Sequence, residues 1–98
     1  MSILLDEHSR VLIQGITGQQ ARTHVSYMIR YGTKVVAGVS PGKGGVVLDG
    51  VPVYDSVRSA VRKHEADISV LFVPGPYAKD AALEAIENEI PLVVVLAE

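Results

Sequence analysis

Cysteine and tryptophan are absent from this chain of 98 residues, whose aromatic side chains are four tyrosines and one phenylalanine. The lack of cysteine excludes disulfide bonds, cysteine-ligated zinc and a cysteine nucleophile. Neither positive nor negative charge predominates, since nine basic and eleven acidic side chains give a formal net charge of -2. There is no basic stripe for a nucleic-acid backbone and no polybasic patch for a membrane surface, so neither partner is expected.

Long hydrophobic runs are missing as well. The apolar N-terminal segment is interrupted almost at once by Asp6 and Glu7, which excludes a signal-peptide core and a membrane span there, and we expect a cytoplasmic protein. What the chain does contain is 48% hydrophobic residues, mainly Val, Ile, Leu and Ala. That composition is typical of one globular domain with buried parallel strands.

Apolar runs alternate with helical patterns along the chain. They predict strands at Arg10–Gly15, Lys34–Val39, Val51–Tyr54, Ile68–Val73 and Pro91–Ala97. Helices are predicted from Gly18 onwards, after a cap at Asp55 or Ser56, and over Tyr77–Glu89. With right-handed crossovers, this order predicts an α/β fold: a Rossmann-like, doubly wound, mainly parallel sheet with helices on both faces.

Three details of this prediction concern the second half of the fold. The glycine-rich segment from Ser40 to Gly50 is expected to hold no regular structure. Val51–Tyr54 is expected at the sheet edge, because Pro52 cannot donate to a ladder. The third helix is expected to bury a face of mostly small residues and to expose its charged ones; the buried face is Ala78, Ala81, Ala82, Ala85 and Ile86, and the exposed residues are Lys79, Asp80, Glu84 and Glu87.

The loop after the first strand reads Gly15-Ile16-Thr17-Gly18-Gln19-Gln20-Ala21. It opens a helix at the carboxyl edge of the predicted sheet, where free backbone N–H groups and the helix dipole favour a phosphate. Its spacing, G-x-x-G-x-x-A, is wider than the dinucleotide fingerprint G-x-G-x-x-G/A. The alternative is an ordinary strand-to-helix turn that Thr17 caps.

The loop after the second strand, Ser40-Pro41-Gly42-Lys43-Gly44-Gly45, brings a lysine to the same edge. It is not a P-loop, because Gly44 stands where a Ser or Thr is needed for magnesium. Dinucleotide folds carry an acid here for the ribose hydroxyls, and a basic residue accommodates a ribose phosphate instead. Lys43 therefore favours NADP or coenzyme A; the alternative is a solvated lysine.

The remaining candidates are less specific. Pro74-Gly75-Pro76 and Leu96-Ala97-Glu98 follow the last two strands and should face the same edge, although each could be only a turn. The prolines could equally mark the start of a helix. The histidines, His8, His24 and His64, have neither metal-ligand spacing nor a partner acid, so surface or capping roles are expected. No catalytic residue and no metal ligand is predicted.

Taken in order, these motifs resemble the N-terminal CoA-binding domain of the α subunit of succinyl-CoA synthetase, an NDP-forming succinate–CoA ligase. The resemblance runs from end to end, and its most specific part is the Pro-Gly-Lys-Gly-Gly loop. The segments that carry it are Ser2-Ile3-Leu4, Gln14-Gly15-Ile16-Thr17-Gly18, Tyr31-Gly32-Thr33-Lys34, Gly38-Val39-Ser40-Pro41-Gly42-Lys43-Gly44-Gly45, Pro52-Val53-Tyr54 and Val73-Pro74-Gly75-Pro76.

The resemblance implies a single CoA-binding domain over residues 1–98, with coenzyme A as its ligand. The CoA phosphates would be lined by Thr17, Gly18, Gln19 and Gln20, and Lys43 would meet a CoA phosphate. Pro41 and Val73 would sit against the nucleotide or pantetheine. Leu96, Ala97 and Glu98 would border the same ligand.

The family's reaction, driven by ATP or GTP, passes a phosphoryl group through a histidine on a second α domain, and the β subunit binds the nucleotide. None of the three histidines here matches that histidine's motif, so the chain should be part of a longer α subunit and inactive alone. Relatives that use malate or citrate are the nearest alternative. From other classes, the alternatives are the NADP-binding domain of an oxidoreductase or redox-sensing regulator, and a free-standing CoA-binding module.

Overall fold

The structure, a computed structural model, describes residues 8–96. Six strands and three helices follow one another along this part of the chain. The strands are β1 (Arg10–Gln14), β2 (Lys34–Val39), β3 (Val47–Leu48), β4 (Val51–Tyr54), β5 (Ile68–Leu71) and β6 (Leu92–Val95), and the helices are α1 (Gln19–Arg30), α2 (Val57–Lys63) and α3 (Gly75–Glu87).

The strands form one sheet in the order β3-β4-β2-β1-β5-β6. All neighbouring pairs are parallel except β3 with β4, which is antiparallel. The strand order reverses at β1, whose two neighbours are β2 and β5, and in sheets of this kind ligands bind at the carboxyl edge of that point. The predicted Rossmann-like, doubly wound fold is confirmed.

Helices cover both faces of the sheet. On one face, Ala21 and Val25 of α1 pack into a core with Val11, Ile13 and Val70. On the other face, α2 and α3 enclose a second core; its buried members are Leu12, Ala37, Val39, Val57, Ala60, Ala85 and Ile90. Alternate residues of β1 thus point into opposite cores, as a strand buried on both sides requires.

Two predictions were wrong, one about the glycine-rich segment and one about the strand that follows it. The residues Val47–Leu48 form β3, which pairs with Pro52 and Val51. As a result β3 is the edge strand on this side of the sheet, and β4, which was expected at the edge, lies one place further in. Asp49 and Gly50 join the two strands with φ values of 50° and 81°, which are the positive angles of a tight hairpin turn.

The second and third helices also differ from the prediction in detail. Of the two residues predicted to cap α2, Ser56 is the one that does so. Its hydroxyl oxygen accepts a hydrogen bond from the Ser59 N–H at 3.1 Å. Glu84, expected in solvent, is half-buried and accepts from the Val57 N–H at 2.9 Å. Ile86, expected to be buried, is 58% exposed, because the face of α3 that meets the sheet is centred on Ala85.

An ion pair joins the amino ends of β1 and β5. The Arg10 guanidinium donates to both carboxylate oxygens of Asp67, at 3.1 and 3.2 Å, and the Arg10 backbone N–H donates to the same group at 2.8 Å. These hydrogen bonds hold the pKa of Asp67 below its usual value. The charged carboxylate thus links the amino ends of two neighbouring strands of the sheet.

At the opposite ends of the same strands, Gly15 allows β1 to approach β5 closely. Its φ is 81°, and a Cβ placed on it would lie 2.3 Å from the Phe72 carbonyl oxygen. Only glycine combines that dihedral angle with that separation.

We expect Gly15→Ala to destabilise the fold much more than Gly50→Ala. Both glycines have a φ of 81°, but a Cβ at Gly50 meets nothing within 4 Å. The control should therefore lose about 1–2 kcal/mol from the left-handed backbone alone, and Gly15→Ala roughly 2 kcal/mol more from the backbone clash. Urea unfolding measures both free energies; equal losses would show that the Phe72 contact is unimportant.

Candidate functional site

The amino end of α1 lies at the carboxyl edge of the sheet, directly after β1. Gly18 is its N-cap residue, and no side chain caps the helix. The first turn also contains no acidic residue. The backbone N–H groups of Gln19, Gln20 and Ala21 therefore retain their donor capacity, and the positive end of the helix dipole is uncompensated.

Gly18 leaves this end of the helix open to a ligand. Its φ and ψ are -68° and 151°, which any residue adopts, and an added Cβ would make only an ordinary contact of 3.5 Å with the Gly15 carbonyl oxygen. The backbone thus does not itself require glycine here. What the missing side chain provides is space in front of the N–H groups.

Thr17 does not cap α1, so the ordinary-turn interpretation of this threonine was wrong. Its hydroxyl lies 2.8 Å from the hydroxyl of Ser40, and Ser40 is buried at the end of β2. This hydrogen bond joins the loop after β1 to the loop after β2. The two glycine-bearing loops consequently form one continuous surface.

The loop that carries Lys43 is held in a defined shape. The Lys43 N–H donates to the Ser40 carbonyl at 3.0 Å, and the Gly45 N–H donates to the Val53 carbonyl at 3.0 Å. Asp55 accepts a hydrogen bond from the Gly44 N–H at 2.9 Å. The Lys43 side chain is exposed, and within residues 8–96 it takes part in no ion pair, so its ammonium is available to an anion.

Two clefts flank this surface. The first, which we call the polar cleft, has a volume of about 710 Å³ and extends from the amino end of α1 along its outer face to the β3–β4 turn. Apart from Tyr27, its walls are polar or charged: Thr17, Gln19, Arg22, Thr23, Ser26, Tyr27, Arg30 and Asp49.

The second, the apolar cleft, has a volume of about 320 Å³ and opens between the ends of β1, β2 and β5. Val39, Pro41, Val73 and Pro74 form much of its wall, and Tyr77 of α3 also lines it. Its carboxylates, Asp80 and Glu84, come from α3. An apolar group of modest size fits a space of this volume and lining.

A buried amide also lines the apolar cleft. Gln14 is 3% exposed; its Oε1 accepts from the Ser69 hydroxyl at 2.6 Å, and its Nε2 donates to the Ala81 carbonyl at 3.0 Å. Gln14 thus ties β1 to β5 and α3 beneath the site. The sequence prediction missed this role, as it missed those of Ser40 and Asp55, since each depends on contacts between distant segments.

The predicted site residues fall into four groups. Thr17 and Gln19 line the polar cleft, and Gln20 lines a smaller depression with Gln19 and His24. Pro41 and Val73 line the apolar cleft. Gly18 and Lys43 lie on the continuous surface that the two glycine-bearing loops form. Leu96 continues β6, where its N–H donates to the Leu71 carbonyl at 3.1 Å, and Ala97 and Glu98 lie outside the described residues.

The described part of the chain presents binding groups rather than reactive ones. Residues 8–96 contain no cluster of three or more His, Asp or Glu side chains able to hold a metal. Of the histidines, His24 stacks on Phe72 with centroids 5.3 Å apart, and His64 bonds the Tyr54 hydroxyl at 2.9 Å. No helix in this range is long and apolar enough to cross a membrane.

Comparison with solved structures identifies the fold alone. RSP, a Rex-family repressor, has a TM-score of 0.76 at 18% identity, and the match covers 91% of this chain and 45% of the repressor. The same repressor in complex with beta-NADH has a TM-score of 0.74, also at 18% identity, with the same 91% and 45% coverage. Identity this low carries no information about the ligand of this chain.

Comparison of sequences is more specific. The α subunit 2 of an ADP-forming succinate–CoA ligase from Archaeoglobus fulgidus is 53% identical over 98 residues, which is 100% of this chain and 34% of that protein. The corresponding α subunit from Staphylococcus aureus is 46% identical over 100% of this chain and 32% of that protein. The chain therefore spans about a third of the length of these relatives.

The match to a protein family covers nearly the whole chain. The CoA binding domain family matches residues 6–98, a range that contains every strand and helix described above and both glycine-bearing loops. Because the match includes the uncapped end of α1 and the lysine loop together with the fold that positions them, the chain belongs to the CoA binding domain family.

Proposed function

We propose that this chain is the CoA-binding domain of a succinyl-CoA synthetase α subunit and that it holds CoA, a substrate of that ligase, at the carboxyl edge of its sheet. The observation that carries the proposal is the uncapped amino end of α1, in a chain that matches the CoA binding domain family. Exposed N–H groups at a helix terminus are suited to a pyrophosphate.

The rest of the edge suits the other parts of CoA. Lys43 supplies a cation on the loop that Thr17 and Ser40 join to the amino end of α1. The apolar cleft, with Pro41 and Val73 in its wall, supplies a place for the adenine or the pantetheine. Leu96 lies at the same edge, and we assign the adjoining Ala97 and Glu98 to the border of the ligand.

Two acids of this region are already used on backbone N–H groups, which supports the assignment. Asp55 accepts from Gly44, and Glu84 accepts from Val57. By contrast, no carboxylate lies in the first turn of α1. The region therefore provides internal acceptors for its structural N–H groups and leaves α1 for an external anion.

NADP is the alternative ligand, because a basic residue after β2 also suits its ribose phosphate. The Rex-like neighbours do not favour it, since 18% identity shows only the fold. The 53% and 46% identities to succinate–CoA ligase α subunits favour CoA. Parallel calorimetric titrations with CoA and NADP distinguish the two, and tighter binding of NADP would overturn our assignment.

The remaining parts of the reaction are assigned to other polypeptide segments. We propose that a β subunit binds ATP or GTP and that a second α domain carries the phosphohistidine, as the similarity to ligase α subunits suggests. His24 and His64 are engaged with Phe72 and Tyr54, which gives neither a catalytic arrangement. We also propose a cytoplasmic location.

Gly18→Asp should separate binding from folding. An aspartate at the N-cap accepts hydrogen bonds from the first turn of α1 and should raise the free energy of unfolding by about 0.5–1 kcal/mol. The same carboxylate occupies the N–H groups and repels the pyrophosphate, so CoA affinity should fall at least tenfold. Gly18→Ala is the uncharged control: it adds a Cβ without a carboxylate, and it should lower the free energy of unfolding slightly because alanine is a poorer N-cap than glycine. Calorimetry and thermal melts give both quantities, and unchanged CoA affinity would refute a phosphate site at α1.

Lys43→Ala should weaken CoA binding by about 1–3 kcal/mol, as expected for a charge-assisted contact with a phosphate. Folding should be unaffected, because the ammonium contacts no acid within residues 8–96. Lys63→Ala is the matched control, since Lys63 is exposed in the last turn of α2. If the two variants bind CoA equally well, Lys43 is only a solvated lysine.

The isolated chain should bind CoA without forming succinyl-CoA. It holds no matched phosphoryl-carrying histidine and no proposed site for the nucleotide. The assay mixes the purified chain with succinate, CoA and ATP or GTP and follows thioester formation, with a complete succinate–CoA ligase as the positive control. Thioester formed by the chain alone would contradict the assignment of catalysis to other segments.

A further inference from the structure

The polar cleft contains an arginine whose charge nothing in the described structure uses. Arg22 follows Gln19 by three residues on α1, so the two side chains lie on the same helix face, and both line the cleft. The guanidinium is exposed and takes part in no ion pair with the residues between 8 and 96. Arg10, by contrast, is engaged by Asp67 and Glu65.

The charges around the polar cleft favour an anion at Arg22. Besides Arg22, its charged members are Arg30 and Asp49. Arg30 lies eight residues further along α1, about 12 Å down the helix axis, and its guanidinium carbon is 5.7 Å from the centre of the Tyr27 ring. Asp49 belongs to the β3–β4 turn. The cleft therefore has two cations and one anion, and Arg22 is the cation nearer the amino end of α1.

We infer that Arg22 binds the 3′-phosphate of CoA and thereby makes the site selective for CoA over ligands without that phosphate. The inference rests on the proposed function, which places the pyrophosphate at the amino end of α1. The cleft begins at Thr17 and Gln19, so it lies within reach of the phosphate on a ribose next to the pyrophosphate. A planar guanidinium can bind two phosphate oxygens at once. Lys43, whose place after β2 also suits a ribose phosphate, is then assigned to the pyrophosphate.

The test compares CoA with dephospho-CoA, which lacks only the 3′-phosphate. Wild-type protein should bind CoA roughly tenfold or more tightly than dephospho-CoA, as one charge-assisted contact predicts. Arg22→Ala should abolish this preference by weakening CoA alone. Arg22→Lys should recover part of it, because it keeps the charge and loses the bidentate geometry. Since Arg22 is exposed, thermal melts of all forms should coincide.

Two arginine variants are matched controls. Arg30→Ala removes a cation from the same cleft about two turns away, and Arg58→Ala removes an exposed one from α2 on the opposite face of the sheet. Both should keep the preference for CoA. If Arg30→Ala abolishes it as fully as Arg22→Ala does, a general positive field rather than a contact is responsible, and the inference is wrong.

Three other results would also overturn the inference. The first is an unchanged preference in Arg22→Ala, and the second is an equal loss of affinity for both ligands, which would assign Arg22 to the pyrophosphate. The third is a loss of the preference in Lys43→Ala but not in Arg22→Ala. Failure of the wild-type chain to bind either ligand refutes the proposed function itself, so the two failures are distinguishable.

Discussion

The close approach of β1 to β5 at Gly15 is the constraint on which the site depends. With no Cβ at this position, the chain can turn beside the Phe72 carbonyl and direct the next residues away from the sheet. Ile16 then enters the core over Gly38, where a Cβ would come within 2.4 Å of its Cδ1 atom. Two positions without side chains therefore make room for the turn that leads into α1.

The distribution of carboxylates shows which N–H groups the fold satisfies for itself. Ser56 and Glu84 both accept from the first turn of α2, and Asp55 fixes the lysine loop through Gly44. Each of these acceptors stabilises a segment that must keep its shape whether or not a ligand is bound. The first turn of α1 has no such acceptor, so an anion from solution meets no competing side chain there.

Much of the fold could be predicted because its signals are local. The apolar run of β5 and the change from strand to helical spacing after Gly15 lie within single short windows of sequence. The hairpin was missed although Asp49-Gly50 is a known hairpin signal, because two-residue strands show no alternation. The inward position of Glu84 was not predictable, since it follows from the placement of α2 beside α3.

The site divides in the same way. The two loops and Lys43 could be found from glycine spacing and position. The Thr17–Ser40 and Gln14–Ser69 hydrogen bonds could not, because each joins residues far apart in the sequence. Resemblance to a family located most candidate residues without explaining their geometry. Arg22 was not among them, because a charged residue on an amphipathic helix is indistinguishable from solvated surface until a cleft is found beside it.

An uncapped helix at the site couples stability to binding. Glycine at the N-cap, in place of a Ser or Asp that would cap the helix, costs roughly 0.3 kcal/mol, which is small against the roughly 5–15 kcal/mol typical of folded proteins. A ligand that binds only the folded state returns free energy that grows with the logarithm of its concentration relative to its dissociation constant. In the proposed complex, a phosphate on these N–H groups would act as the cap that Gly18 does not provide, and the small loss of stability would be confined to the ligand-free chain.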